Sequence, residues 1–110
     1  MDEPKQIPWR GGEPPSDEEL DRAIREEGLT PHWWSNGPGD VYGLHDHPYH
    51  KVLYCAAGSI TFIVEPSGTR FELRPGDRLE LPAGTAHRAV VGPAGVRCVE
   101  GWRYRSGGSG

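Results

Sequence analysis

The chain has 110 residues, a formal net charge of −4 and two cysteines, Cys55 and Cys98. That length suits one small domain with one core, and that cysteine count excludes a disulfide framework. Lys and Arg are scattered rather than blocked, which argues against a nucleic-acid or anionic-membrane partner, and no apolar run approaches the roughly 20 residues of a membrane span. The N-terminus lacks an apolar signal region, so a cytoplasmic location is the expectation.

Residues 1–15 carry Pro4, Pro8, Pro14 and Pro15 with little apolar content, which predicts an arm, either mobile or laid extended on a neighbour. Ser16 and Glu19 have the spacing of a helix capping box, and Asp17, Glu18 and Glu19 suit the positive end of a helix. Leu20, Ala23 and Ile24 then form an apolar stripe, and Gly28 stops the helix, so one helix over 17–27 is expected on the outside of a single domain spanning 16–105.

From Thr30 the pattern turns to β. Strands are expected at 31–34, 40–45, 49–56, 59–65, 69–74, 78–81, 87–91 and 96–104, separated by Gly- and Pro-rich turns. About eight short strands with close turn signals read as an all-β sandwich or barrel. Phe62, Val64, Phe71, Leu73, Leu79 and Leu81 are candidates for its lining. Trp33 and Trp34 must face opposite sides of their strand, which leaves one for the helix or a partner. The tail 106–110, Ser-Gly-Gly-Ser-Gly, reads as a flexible linker.

The chemistry centres on Gly39–Gly58. His45 and His47 lie two apart, a spacing that puts both imidazoles on one face of a strand, and neutral imidazole is a common metal ligand. A third histidine, His87, follows in the phrase PGDRLELPAGTAH. Gly39, His45, His47 and Gly58 fit the pattern G-x5-H-x-H-x3–4-E-x6-G, with Lys51 at the glutamate position. Gly76, Pro82, Gly84 and His87 fit G-x5-P-x-G-x2-H-x3-N, with Val91 at the asparagine position. On these two phrases, which span about half the chain, it resembles the cupin superfamily, in particular the small single-domain, RmlC-like cupins.

The resemblance implies a double-stranded β-helix, the cupin jelly-roll barrel, in agreement with the strand pattern. It also implies a homodimer and a divalent transition metal, Fe, Mn, Ni, Zn or Cu, held inside the barrel by His45, His47 and His87. Lys51 shares parity with His45 and His47 and is expected to point inward, where an ammonium beside a dication is unfavourable. Four outcomes follow: a three-histidine site with Lys51 bent away, a neutral Lys51 acting as general base, a carboxylate supplied from elsewhere, or an empty site in which Lys51 neutralises a buried acid. Glu100, on a mostly apolar face with Val96, Cys98 and Trp102, is the candidate acid, so Lys51 and Glu100 are the candidate catalytic residues.

Among the other groups, His50 should point outward, and His32 reads as a surface or interface residue. Cys55 and Cys98 read as small buried hydrophobes. Tyr49 has inward parity, so it either fills the barrel mouth or lends its phenol to a ligand. The implied function is that of a metalloenzyme acting on a small organic molecule, as a dioxygenase, an isomerase or a lyase. The alternative is a binding or sensing module without turnover. A structural or storage role, and Schiff-base chemistry at Lys51, are minor readings.

Overall fold

Two long bent strands carry the architecture. In the computed structural model, which describes residues 3–104, these are β4 (His50–Val64) and β7 (His87–Arg103). They run antiparallel to each other from His50↔Arg103 to Val64↔His87. Around them lie β1 (Lys5–Ile7), α1 (Asp17–Glu26), β2 (His32–Asn36), β3 (Val41–His45), β5 (Thr69–Leu73) and β6 (Arg78–Leu81). The antiparallel order is β1-β6-β4-β7-β2, with β3 also paired to β7 and β5 to β4, the expected jelly roll. The expected tail at 106–110 lies outside the described residues.

Two pairs of expected strands merge. The segments 49–56 and 59–65 are one strand, as are 87–91 and 96–104. Register shifts at Cys55/Ala57 and Gly58/Ile60 bend the ladder without ending it, and residues 92–95 bulge opposite the single residue Ser59. Gly58 sits at this corner with φ +72°, and a Cβ there would lie 2.0 Å from the Gly95 carbonyl oxygen. Gly58→Ala is therefore expected to cost about 3 kcal/mol, from left-handed strain plus a backbone clash. Urea unfolding with an unchanged midpoint would contradict this.

Part of the N-terminal arm is built into the chain's own sheet. Its residues Lys5–Ile7 form β1 on the edge of β6, with Lys5 opposite Glu80 and Ile7 opposite Arg78. Pro4 and Pro8 flank this run, so every residue inside it keeps its N–H for the ladder, and the open edge of β6 is covered. The Trp9 backbone N–H then donates to Asp77 at 2.8 Å.

The helix starts as its capping box requires, with Ser16 Oγ accepting from Glu19 N–H and Glu19 accepting from Ser16 N–H. It ends one residue earlier than expected, with Glu27 as its C-cap. Leu20 and Ile24 are buried against Val52 and Val99, and Trp33 and Leu29 pack beside them. The second core lies inside the barrel, built from Leu53, Ile60, Phe62, Val64, Leu73, Leu79 and Leu81 together with both cysteines, with Phe71 packed partly against it. Trp33 and Trp34 do face opposite ways: Trp33 joins the helix layer and Trp34 the barrel interior.

Candidate metal centre

His45 is the last residue of β3, opposite His87, the first residue of β7. His47 lies in the connection after β3, not in a strand as the spacing predicts. Side-chain alternation survives there because Pro48 biases the backbone of His47 toward extended conformations. The His47 carbonyl accepts from Gly84 N–H at 2.8 Å, which ties this connection to the loop leading into His87. One ligand nitrogen from each of His45, His47 and His87 lies within 4.8 Å of the other two.

The far side of each ring is already engaged. His45 Nδ1 bonds the Gly43 carbonyl at 2.6 Å, and His87 Nδ1 bonds the Thr85 carbonyl at 2.8 Å. A carbonyl only accepts, so both rings carry the proton on Nδ1 and present a lone pair on Nε2. His47 Nδ1 bonds the Tyr49 hydroxyl at 3.2 Å. The Nε2 atoms of His47 and His87 are buried without a hydrogen-bond partner among the described residues. Buried polar atoms are rarely left so, and two aimed into one chamber beside a third imidazole fit a divalent cation. Two nitrogens at about 2.1 Å from one ion can be at most about 4.2 Å apart, so small side-chain rotations complete the site. Burial pushes His87 down to about 4, with the nearby imidazoles and Lys51 adding to the effect. Burial also lowers His47, followed by the Lys51 charge. Both are thus neutral and ligand-competent at pH 7.

Lys51 points inward as expected, and so does Glu100. Both are buried, and Lys51 Nζ is 3.5 Å from Glu100 Oε1. The carboxylate is held further by two indoles: Trp34 Nε1–H donates to Oε1 at 2.9 Å and Trp102 Nε1–H to Oε2 at 2.5 Å. Glu100 is not part of the metal-donor cluster, whose members are the three histidines.

His32, expected at the surface, belongs to this neighbourhood. It stacks on Trp102 at 4.0 Å between ring centroids, Trp102 stacks on Tyr49 at 4.9 Å, and Tyr49 stacks on His47 at 4.9 Å. Tyr49 therefore does more than fill space, because its ring and hydroxyl both orient a candidate ligand. Burial, then the Glu100 charge, pushes its phenol up and keeps it protonated. Tyr49→Phe is expected to weaken metal binding about tenfold, as losses of such supporting partners do. Competition with a chromogenic chelator reads it, and an unchanged affinity would count against that role.

His50 points outward, 3.2 Å from Glu80. Cys55 and Cys98 are buried free thiols, opposite each other in register. Hydrogen bonding with Cys55, then burial, pushes the Cys98 thiol up, so it stays protonated as a small core residue. Val91, at the asparagine position of the second phrase, is a core residue as well. The indoles of Trp34 and Trp102 are the functional groups the sequence reading missed. Their signal was inward parity, since a buried indole N–H needs an acceptor.

The sequence model of the cupin domain matches residues 32–99. The chain belongs to the cupin family. A 55-residue stretch of this cupin is 42% identical to quercetin 2,3-dioxygenase of Bacillus subtilis, covering 48% of this chain and 16% of that protein. Among solved structures it is similar to the DMSP lyase DddQ from Ruegeria pomeroyi, with 25% identity, a TM-score of 0.63, and coverage of 68% of this chain and 38% of that one. It is also similar to KdgF from a Halomonas species, with 25% identity, a TM-score of 0.58, and coverage of 70% and 71%. The chain thus spans a small part of the dioxygenase and well under half of the lyase. No helix among the described residues is long and apolar enough to cross a membrane.

Proposed function

We propose that this cupin binds one divalent transition metal, Fe, Mn, Ni, Zn or Cu, through His45, His47 and His87, and acts there on a small organic molecule. The observation that carries the reading is the convergence of three imidazoles, each hydrogen-bonded at Nδ1, of which His47 and His87 hold buried Nε2 atoms without a partner among the described residues. A bound ion would supply Lewis acidity and, if redox-active, a place for O₂. The local likeness to a dioxygenase makes dioxygenation the first activity to assay. Both oxygen atoms then enter the substrate, which supplies the electrons, so no external reductant is needed. Lys51 is the proposed catalytic group that meets the substrate, and Glu100 positions its ammonium.

A module that binds without turnover is the second reading. Glu100 is the one buried carboxylate among the described residues, and three donors already surround it, so it is not free to act as a base. The homodimer belongs to the proposal too: Val41, Leu44 and Val90 expose apolar surface along β3 and β7, and light scattering would read the dimer.

Elemental analysis of the purified protein tests the centre. About one ion per chain, lost in His47→Ala, is expected, and no ion even after reconstitution would overturn the proposal. O₂ uptake by the iron-loaded protein with quercetin, and product analysis with DMSP, then separate turnover from binding.

A further inference from the structure

We infer that Lys51 is an anchor for an anionic ligand, so that this centre takes a small carboxylate or similar oxyanion bridging the metal and the Lys51 ammonium. The inference rests on the three-histidine reading above and names the substrate class of that site.

Charge balance comes first. Imidazoles bind metal in neutral form, so three of them leave a dication uncompensated. The glutamate that the motif would place at position 51 is absent, and Glu100 is matched by Lys51 itself. Uncompensated charge in a buried chamber is costly, and an anion on the open coordination positions removes that cost.

The lysine's own partners come second. Glu100 Oε1 and Oε2 each accept an indole N–H, and Lys51 stands 3.5 Å away, at the outer limit of a hydrogen bond. Among the described residues Nζ makes no shorter polar contact, so a buried group with three donors has donors to spare. Lys51 meets Glu100, Glu100 accepts from the Trp102 indole, and Trp102 stacks through Tyr49 onto His47, which sets the ammonium on the side of the candidate ligands. An oxyanion on the metal would lie between two positive groups, each of which attracts it. The flanking rings of Tyr49 and Trp102 leave the organic remainder an aromatic wall.

The test uses the full chain loaded with Co(II), with oxalate as the anionic probe and imidazole as the neutral one, followed by calorimetry and the visible cobalt spectrum. The decisive variant is the double substitution Lys51→Met with Glu100→Gln, which leaves the net charge of the pair at zero. Oxalate affinity is expected to fall at least tenfold, with cobalt and imidazole affinities within about threefold of wild type. Lys51→Arg keeps the charge and is expected to retain oxalate affinity within about threefold, so it decides the matter if the double variant does not fold. Equal oxalate affinity in the double variant and wild type would overturn the anchor alone, as would a loss of at least tenfold in Lys51→Arg. Failure of the wild-type chain to bind cobalt would overturn the anchor together with the metal centre.

Discussion

Metal-free protein is expected to lose about 3 kcal/mol of stability between pH 6.5 and pH 4, because His87 resists protonation in the fold. Burial lowers this imidazole from 6.5 to about 4, so in that window the unfolded chain binds a proton that the native chain does not. Stability therefore falls as pH falls, and the contribution is fully present only above 6.5. His47 is shifted in the same direction and adds to the loss. The carboxylates act lower: Glu27 and Glu80 are held below 4.5 by their contacts with Arg78, and Asp17 below 3.8 by Arg97. The loss above about pH 5.5 thus belongs to the imidazoles. Against a total stability of about 5–15 kcal/mol, the effect is large. Urea unfolding at stepped pH after chelator treatment would measure it, with His87→Leu as the variant expected to flatten the slope. Equal slopes in the two proteins would refute the assignment. Metal-loaded protein should be steeper still, because protons and metal compete for the same Nε2 atoms.

The barrel and the triad were legible because their signals are local and periodic. Histidines two apart, a glycine-proline phrase before His87 and strands between turn residues all survive in a one-dimensional reading. The inward aim of Lys51 was legible for the same reason. Three features were not. Whether the chain breaks or bends at Gly58 depends on Gly95, which approaches it from another strand. Whether residues 5–7 form a strand depends on the free edge of β6, more than seventy positions later in the chain. His32 became part of the site because β2 pairs with the end of β7 and sets it opposite Glu100, beside Trp102. Each depends on a partner remote in sequence, where periodicity carries no information. The inward indoles fall between these cases: parity placed them correctly, but only the register showed that both N–H groups meet one carboxylate.

Glu100→Gln is expected to be among the most damaging single substitutions in the barrel, costing about 3–5 kcal/mol. The charge lost is the partner of a buried ammonium, and Lys51 would remain with no counter-charge. Geometry adds to the cost: a glutamine offers one accepting oxygen and one donating NH₂, so one of the Trp34 and Trp102 N–H groups would face another donor. Lys51→Met should cost less, because Glu100 keeps both indole donors. The double variant should recover the part of the loss due to the stranded ammonium, giving a coupling energy of about 1–3 kcal/mol in a double-mutant cycle. Additive losses would show that the 3.5 Å contact contributes nothing by itself. Metal affinity adds a readout that packing alone would not move. Glu100→Gln leaves an uncompensated positive charge facing the ion and should weaken binding at least tenfold, whereas Lys51→Met removes that charge and should not weaken it. A carboxylate that stabilises the fold by holding a lysine would thereby also make a lysine tolerable at the position where the motif carries a metal-binding glutamate.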